Sequence, residues 1–300
     1  MKKVIAILGP TAVGKTKISI MVAKHYGLDI ISGDSVAVYK GLDIGSAKPT
    51  KEEMDGVRHY LIDVREPSEE YSTADFQRES RKIIDNNELS IIAGGTGLYI
   101  KSAIFNYEFS AKGRDSSFQD KYKDLSNLEL YDLLLKKDPN IDTTKLHPNN
   151  RKRVLRALEV FEDKGVSIHS FNHKDEAIYD YFIVYLSLDR DKLYERINKR
   201  VEQMFNDGLE AEVKGLYDKG IMPHAIGYQE FIPYFLGEKS LDEVKDLIKL
   251  NTRHLAKRQE TWFKNQMKSH FYIVNLDNID ETFSNIIKDI DEWRLKWDFI

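Results

Sequence analysis

The chain has 300 residues, 41% hydrophobic and 31% charged, with 45 Lys and Arg against 49 Asp and Glu for a net charge of −4. That length suits one α/β domain carrying an insertion, and the acidic balance excludes a positive coat over the whole surface while leaving room for a basic patch on one face. Cysteine is absent, which excludes disulfides, Fe–S clusters and thiolate zinc sites and agrees with a reducing cytoplasm.

No apolar run approaches the roughly twenty residues of a membrane span, and Met1-Lys2-Lys3 leads straight into an apolar stretch without a signal-peptide pattern. A cytoplasmic protein is expected. Val4 to Leu8 reads as a strand, and it runs directly into Gly9-Pro10-Thr11-Ala12-Val13-Gly14-Lys15-Thr16, the pattern G-x-x-x-x-G-K-T. Strand, glycine loop and helix in that order make a phosphate-binding loop. Its glycines let successive backbone N–H groups converge on a di- or triphosphate, and the next helix presents its positive end. Lys15 adds a cation and Thr16 offers a hydroxyl to Mg²⁺.

Ile18, Val22 and Ala23 mark one face of a helix that Gly27 ends, and Asp29 to Ser32 is a second strand. It closes in Ser32-Gly33-Asp34-Ser35, which sets a carboxylate on the same rim as the phosphate loop. There Asp34 can hold Mg²⁺ through water, accept a proton from an attacking group, or cap a turn. A second glycine cluster, Gly41 to Pro49, either closes its amides and Lys48 over an anion or forms a plain turn. Val57 to Val64 is a third strand candidate, and Ser72 or Thr73 opens a helix with a capping box.

Ser90 to Ala93 is a fourth strand, ending in Gly94-Gly95-Thr96-Gly97. Ordinary P-loop NTPases carry a Walker B aspartate at this place, so the usual carboxylate of phosphoryl transfer is missing. Thr96 caps the following helix or faces the site. From about Ser110 to Asp180 the chain turns polar and helix-rich, as a helical insertion would. Tyr181 to Leu188 restores a core strand, and the helix after it carries Arg196 and Arg200 one turn apart, within possible reach of a diphosphate. The expected fold is α/β, a P-loop NTPase-like parallel sheet covered by helices on both faces. Its core spans 1–110 and 181–300, with a helical insertion domain at 111–180.

Two basic stretches bear on the partner. Arg151-Lys152-Arg153-Val154-Leu155-Arg156 mixes cations with apolar positions, and a wheel over Thr252 to Lys268 sets Arg253, Lys257, Lys264 and Lys268 opposite Leu255, Ala256, Trp262 and Phe263. Each is either a solvated face over a packed stripe or a surface for nucleic-acid phosphates.

In order, GPTAVGKT, SGDSVAVYKGLDIGSAKP, AGGTGLY, NNRKRVLRALEV, AIGYQE and TRHLAKRQETWF resemble the successive motifs of the bacterial tRNA dimethylallyltransferases, from Gly9 to about Phe263. Only the polar stretch Lys112 to Lys123 matches loosely. The resemblance implies transfer from dimethylallyl diphosphate, with Mg²⁺, to N6 of adenosine 37 beside the anticodon of tRNAs reading codons that begin with U. Gly9 to Thr16 would then hold a leaving group, with Thr16 on the metal. Lys15, Thr16 and Asp34 would be catalytic, Asp34 taking the N6 proton. Asp34, Ser35, Val36 and Ala37 with Thr96 would line the flipped-out base. Lys152, Arg153, Val154, Leu155 and Arg156, and Arg253, Lys257 and Arg258, would meet the tRNA anticodon loop. No obligate protein partner is evident, and a monomer suffices. The alternatives are a P-loop small-molecule kinase, an adenylate isopentenyltransferase, and an RNA-binding module without chemistry.

Overall fold

A computed structural model describes residues 1–107, 109, 116–170 and 176–296. Chain order runs β1 (Lys3–Leu8), α1 (Lys15–Tyr26), β2 (Ile30–Ser32), α2 (Lys51–Met54), β3 (His59–Tyr60), α3 (Thr73–Asp85), β4 (Leu89–Gly94) and α4 (Gly97–Ile104). Next come α5 (Ser116–Asp120), α6 (Asn127–Lys137) and α7 (Arg151–Lys164). The chain closes with β5 (Asp180–Ser187), α8 (Arg190–Asn206), α9 (Leu209–Tyr217), α10 (Ile232–Phe235), α11 (Leu241–Gln266), β6 (His270–Ile273) and α12 (Ile279–Leu295). Two compact units result: Met1–Phe105 with Ala177–Ile300, and Asn106–Glu176. The expected insertion borders, 111 and 180, thus fall a few residues late. Phe105 already bridges to Ala177, and Asp180 opens β5 opposite Lys3. Of the loosely matching stretch Lys112 to Lys123, residues 112–115 lie outside the described residues.

In the first unit all six strands are parallel, in the order β3-β2-β4-β1-β5-β6. The side chains of β1 alternate as a strand buried on both faces requires. Ile5 and Ile7 join one apolar cluster with Ile18, Val22, Phe182 and Ile286, while Val4, Ala6 and Leu8 join another with Phe76, Ile92, Ile100 and Phe263. Each fully buried aliphatic side chain of this kind stabilises the fold by about 1.5–3 kcal/mol. Helices therefore cover both faces, as the sequence implies. A third cluster packs Leu42 against Val201, Leu209, Tyr228, Phe231, Val244 and Ile248.

The third strand is much shorter than the run Val57 to Val64 suggests, only His59–Tyr60. Leu61 and Asp63 take left-handed backbone at φ 63° and 56°, which breaks the extended run. The chain beyond then turns onto the loop after β2, where Asp63 N–H donates to Ala37 O and Val64 N–H to Val38 O. Other ends follow local chemistry. Ser72 and Asp75 form the capping box of α3, and Gly27 closes α1 at φ 66°.

The second unit is a small helical body. Leu130, Leu134, Val154, Leu155, Ala157 and Leu158 form its core, with Tyr122, Ile141 and Leu146.

Candidate active site

Register brings three loops to one rim of the first unit's sheet. Leu8 pairs with Gly94, and Ser32 with Ala93, so the phosphate loop, the loop after β2 and the loop after β4 leave the sheet side by side. The last two are laced together by backbone bonds from Gly33 N–H to Ala93 O at 2.8 Å and from Thr96 N–H to Gly33 O at 3.2 Å. A Cβ at Gly94 would collide with the backbone of Gly33. No side chain, and so no Walker B carboxylate, fits at the end of β4, which is the physical reason for the glycine noted in the sequence.

The cleft below this rim is lined by Lys15, Thr16 and Ser19 of α1, Ile30 and Ser32 of β2, Asp34 and Ala37 after it, Ser46 to Pro49, His59, and Ala93 and Gly94. Of the readings left open for Asp34, the structure shows the turn cap. Its Oδ1 accepts the N–H groups of Val36 at 2.8 Å and Ala37 at 3.3 Å, capping the turn, and the same carboxylate faces the cleft. Thr96 stands at the N-cap of α4 but makes no side-chain cap there. Instead its Oγ1 accepts Ser35 N–H at 3.1 Å, and it lies 3.3 Å from Ser35 Oγ. Asp34 to Ala37 and Thr96 therefore form one bonded group beside the phosphate loop.

Positive charge gathers opposite Asp34. The Lys15 ammonium donates to Pro10 O at 2.7 Å, and Arg196 Nε donates to Ala12 O at 2.8 Å, bracing the loop from its own helix and from α8. Arg200 donates to Ala47 O at 3.1 Å. Burial first, and then the Arg200 charge, push the Lys15 pKa down from 10.5 to about 7, against an upward pull from Asp34. Burial likewise lowers the pKa of Arg200. Lys15 lines the cleft and feels the Arg200 charge, an arrangement that a bound diphosphate stabilises.

Among the described residues no three His, Cys, Asp or Glu side chains gather as a metal cage. Thr16 is exposed at the start of α1, and Asp34 lines the same cleft. One or two protein oxygens completed by phosphate oxygens and water suit Mg²⁺, so the donor set fits that ion.

Sequence reasoning missed one connector. Gln259 of α11 accepts Thr11 N–H on Oε1 at 2.9 Å and donates from Nε2 to Gly95 O at 3.0 Å. Its only signal was its place inside the motif TRHLAKRQETWF.

Several expectations need correction. The cluster Gly41 to Pro49 does close over an anion, but that anion is internal: Glu212 accepts the N–H groups of Asp43, Ile44 and Gly45 at 2.8–3.0 Å and the Tyr228 hydroxyl at 2.8 Å. Lys48 is paired with Asp43 and Asp63, both at 2.6 Å. On α7, Val154 and Leu155 are buried in the insertion core. Arg151 donates to Leu125 O and Tyr122 O, and Arg156 pairs with Glu159. Lys152 and Arg153 remain exposed. On α11, Arg253 is half-buried and donates to Asn198, Lys257 and Arg258 are exposed, and Lys268 lies beyond the helix end at Gln266.

Residues 37–266 match the sequence family described as IPP transferase. A tRNA dimethylallyltransferase of Enterococcus faecalis is 46% identical over 308 residues, 98% of each chain, and one of Oceanobacillus iheyensis is 43% identical over 301 residues, 96% of each. Among solved structures, the full-length tRNA isopentenylpyrophosphate transferase of Bacillus halodurans is 40% identical at a TM-score of 0.73, covering 99% of both chains. A eukaryotic dimethylallyltransferase acting on tRNA is 28% identical at a TM-score of 0.85, over 99% of this chain and 80% of the other. With a family match over most of its length and relatives alike from end to end, on a sheet whose rim carries the phosphate loop and Asp34 together, this chain belongs to the IPP transferase family.

Proposed function

We propose that this protein transfers a dimethylallyl group from dimethylallyl diphosphate to N6 of adenosine 37 in tRNAs reading codons that begin with U, releasing diphosphate. One observation carries the reading: Asp34, Lys15 and Thr16 line one cleft, while the end of β4 has no room for the carboxylate of phosphoryl transfer. A phosphate loop so equipped holds a leaving group. The relatives named for tRNA dimethylallyl transfer support the choice of donor and acceptor.

Attack by N6 on C1 of the donor forms the C–N bond as the C–O bond breaks, and both electrons of that bond leave with the diphosphate. The loop amides and the Lys15 ammonium meet the negative charge that grows on the departing oxygens, so they bind the transition state more tightly than the ground state. Thr16 would hold Mg²⁺, which when bound would neutralise part of the same charge. The proton leaves N6 for the Asp34 carboxylate, whose Oδ1 is fixed by two backbone N–H groups and whose Oδ2 has no partner among the described residues. The base reaches this position out of the stack, at a cost of a few kcal/mol that contacts to the loop must offset. Exposed Lys152, Arg153, Lys257 and Arg258 are suited to phosphate contacts.

The test is incubation with Mg²⁺, labelled dimethylallyl diphosphate and unmodified tRNA, beside AMP as acceptor and ATP as donor, followed by nucleoside analysis. Label in N6-dimethylallyladenosine from tRNA alone is the expected result. Transfer to AMP, or phosphoryl transfer from ATP, would replace the reading by one of its alternatives.

A further inference from the structure

We propose that Gln259 is a positioning residue, a strut that sets the distance between the diphosphate loop and the loop that receives the acceptor base. The inference rests on the function proposed above. A single carboxamide spans the two loops, with Thr11 N–H on its oxygen at 2.9 Å and Gly95 O on its nitrogen at 3.0 Å. From Gly95 the connection continues through Thr96, whose N–H donates to Gly33 O and whose Oγ1 accepts Ser35 N–H, and so to Asp34. The strut is itself anchored, since Ala256 and Phe263 on either side of Gln259 are buried in the two sheet-face clusters.

Gly95 is shaped to this contact. A Cβ there would stand 2.5 Å from Gln259 Nε2 and 3.9 Å from Lys15 Nζ, so the glycine leaves the space the carboxamide fills. Transfer needs the donor carbon and the acceptor nitrogen within about 3–3.5 Å, and an error of about 1 Å can cost about 100-fold in rate. Thr11 belongs to the loop that holds the donor, and Thr96 to the group that lines the base. Gln259 therefore acts on the distance between two bound substrates, without being needed to bind either.

Gln259→Met keeps the side-chain length and removes both bonds. Gly95→Ala keeps Gln259 and pushes its carboxamide aside. Steady-state kcat and KM for each substrate, calorimetric affinity for inorganic pyrophosphate with Mg²⁺, and thermal midpoints are measured for wild type, both variants and the double variant. Expected are a kcat about 10- to 100-fold lower in each variant, KM values and pyrophosphate affinity within about threefold of wild type, and a double variant no worse than Gln259→Met. A kcat within about threefold of wild type, a loss carried by KM instead, or losses that multiply in the double variant would overturn the proposal. Gly95→Ala changes no residue of α11 and carries the test alone if Gln259→Met does not fold. Failure of the wild type to modify tRNA at all would instead sink the functional reading, a result distinct from any of these.

Discussion

Lys15 is placed to take up a proton when a diphosphate arrives. Burial and the neighbouring Arg200 charge hold its pKa near 7, well below the usual 10.5. At that value about 0.9 of the side chain is neutral at pH 8 and about 0.1 at pH 6. A diphosphate sets at least two negative charges against the same nitrogen and restores the ammonium, so binding of pyrophosphate takes up about 0.9 proton at pH 8 and about 0.1 at pH 6. The linkage also has a sign for stability. Between pH 7 and 10.5 the unfolded chain binds more protons at this lysine than the folded one, so the free protein gains stability from this group as pH rises through that window, and the gain is lost as pH falls to 7. With pyrophosphate bound, the gain disappears. The assay is titration calorimetry of pyrophosphate in buffers of differing ionisation enthalpy at pH 6 and pH 8, corrected for the separately titrated protons of pyrophosphate. A corrected uptake at pH 8 no larger than at pH 6 would refute the placement of Lys15 as a buried, anion-seeking cation.

Other consequences follow from single contacts. Glu212→Ala strips a carboxylate from three backbone amides and from the Tyr228 hydroxyl, and is expected to destabilise the fold by about 3 kcal/mol in urea unfolding. Lys152→Ala and Arg153→Ala are each expected to weaken tRNA binding and to reduce the slope of log affinity against log salt by about 1. Val154→Ala, in the insertion core, should leave that slope unchanged and cost about 2 kcal/mol of stability. Gly94→Asp forces a side chain into the Gly33 backbone; a loss of about 3 kcal/mol or more in thermal unfolding is expected, with transfer activity lost and no ATP-dependent phosphoryl transfer gained.

Local chemistry made much of this legible in advance. The phosphate loop, the αL glycine after α1 and the Ser72 capping box each need only a few neighbouring residues, and the fully apolar strands around Ile5 and Ile92 announce a sheet covered on both faces. Asp34 was legible as a carboxylate on the rim because a strand end fixes its height. What escaped depends on partners distant in sequence. Thr11 and Gln259 are 248 residues apart, and the glycine loop at 43–45 meets Glu212 more than 160 residues later. Nothing near Lys48 reveals that Asp43 and Asp63 together neutralise it. The third strand was overextended because the β-branched residues Val57, Ile62 and Val64 flank it, while left-handed backbone at Leu61 and Asp63 has no glycine to signal it. In Arg151 to Arg156 the motif as a whole suggested RNA contact, yet helical periodicity separates exposed Lys152 and Arg153 from buried Val154 and Leu155.

The central claim is that the phosphate loop holds a leaving diphosphate on a carbon donor. The most direct measurement follows labelled dimethylallyl diphosphate and unmodified tRNA with Mg²⁺ and no nucleoside triphosphate, counting N6-dimethylallyladenosine in RNA and free diphosphate at each time point. The account predicts that both appear together in equal amounts, and that Asp34→Ala slows both by about 100-fold or more while pyrophosphate still binds. Label that enters RNA only when ATP is added, or an Asp34→Ala enzyme that matches wild type, would contradict it.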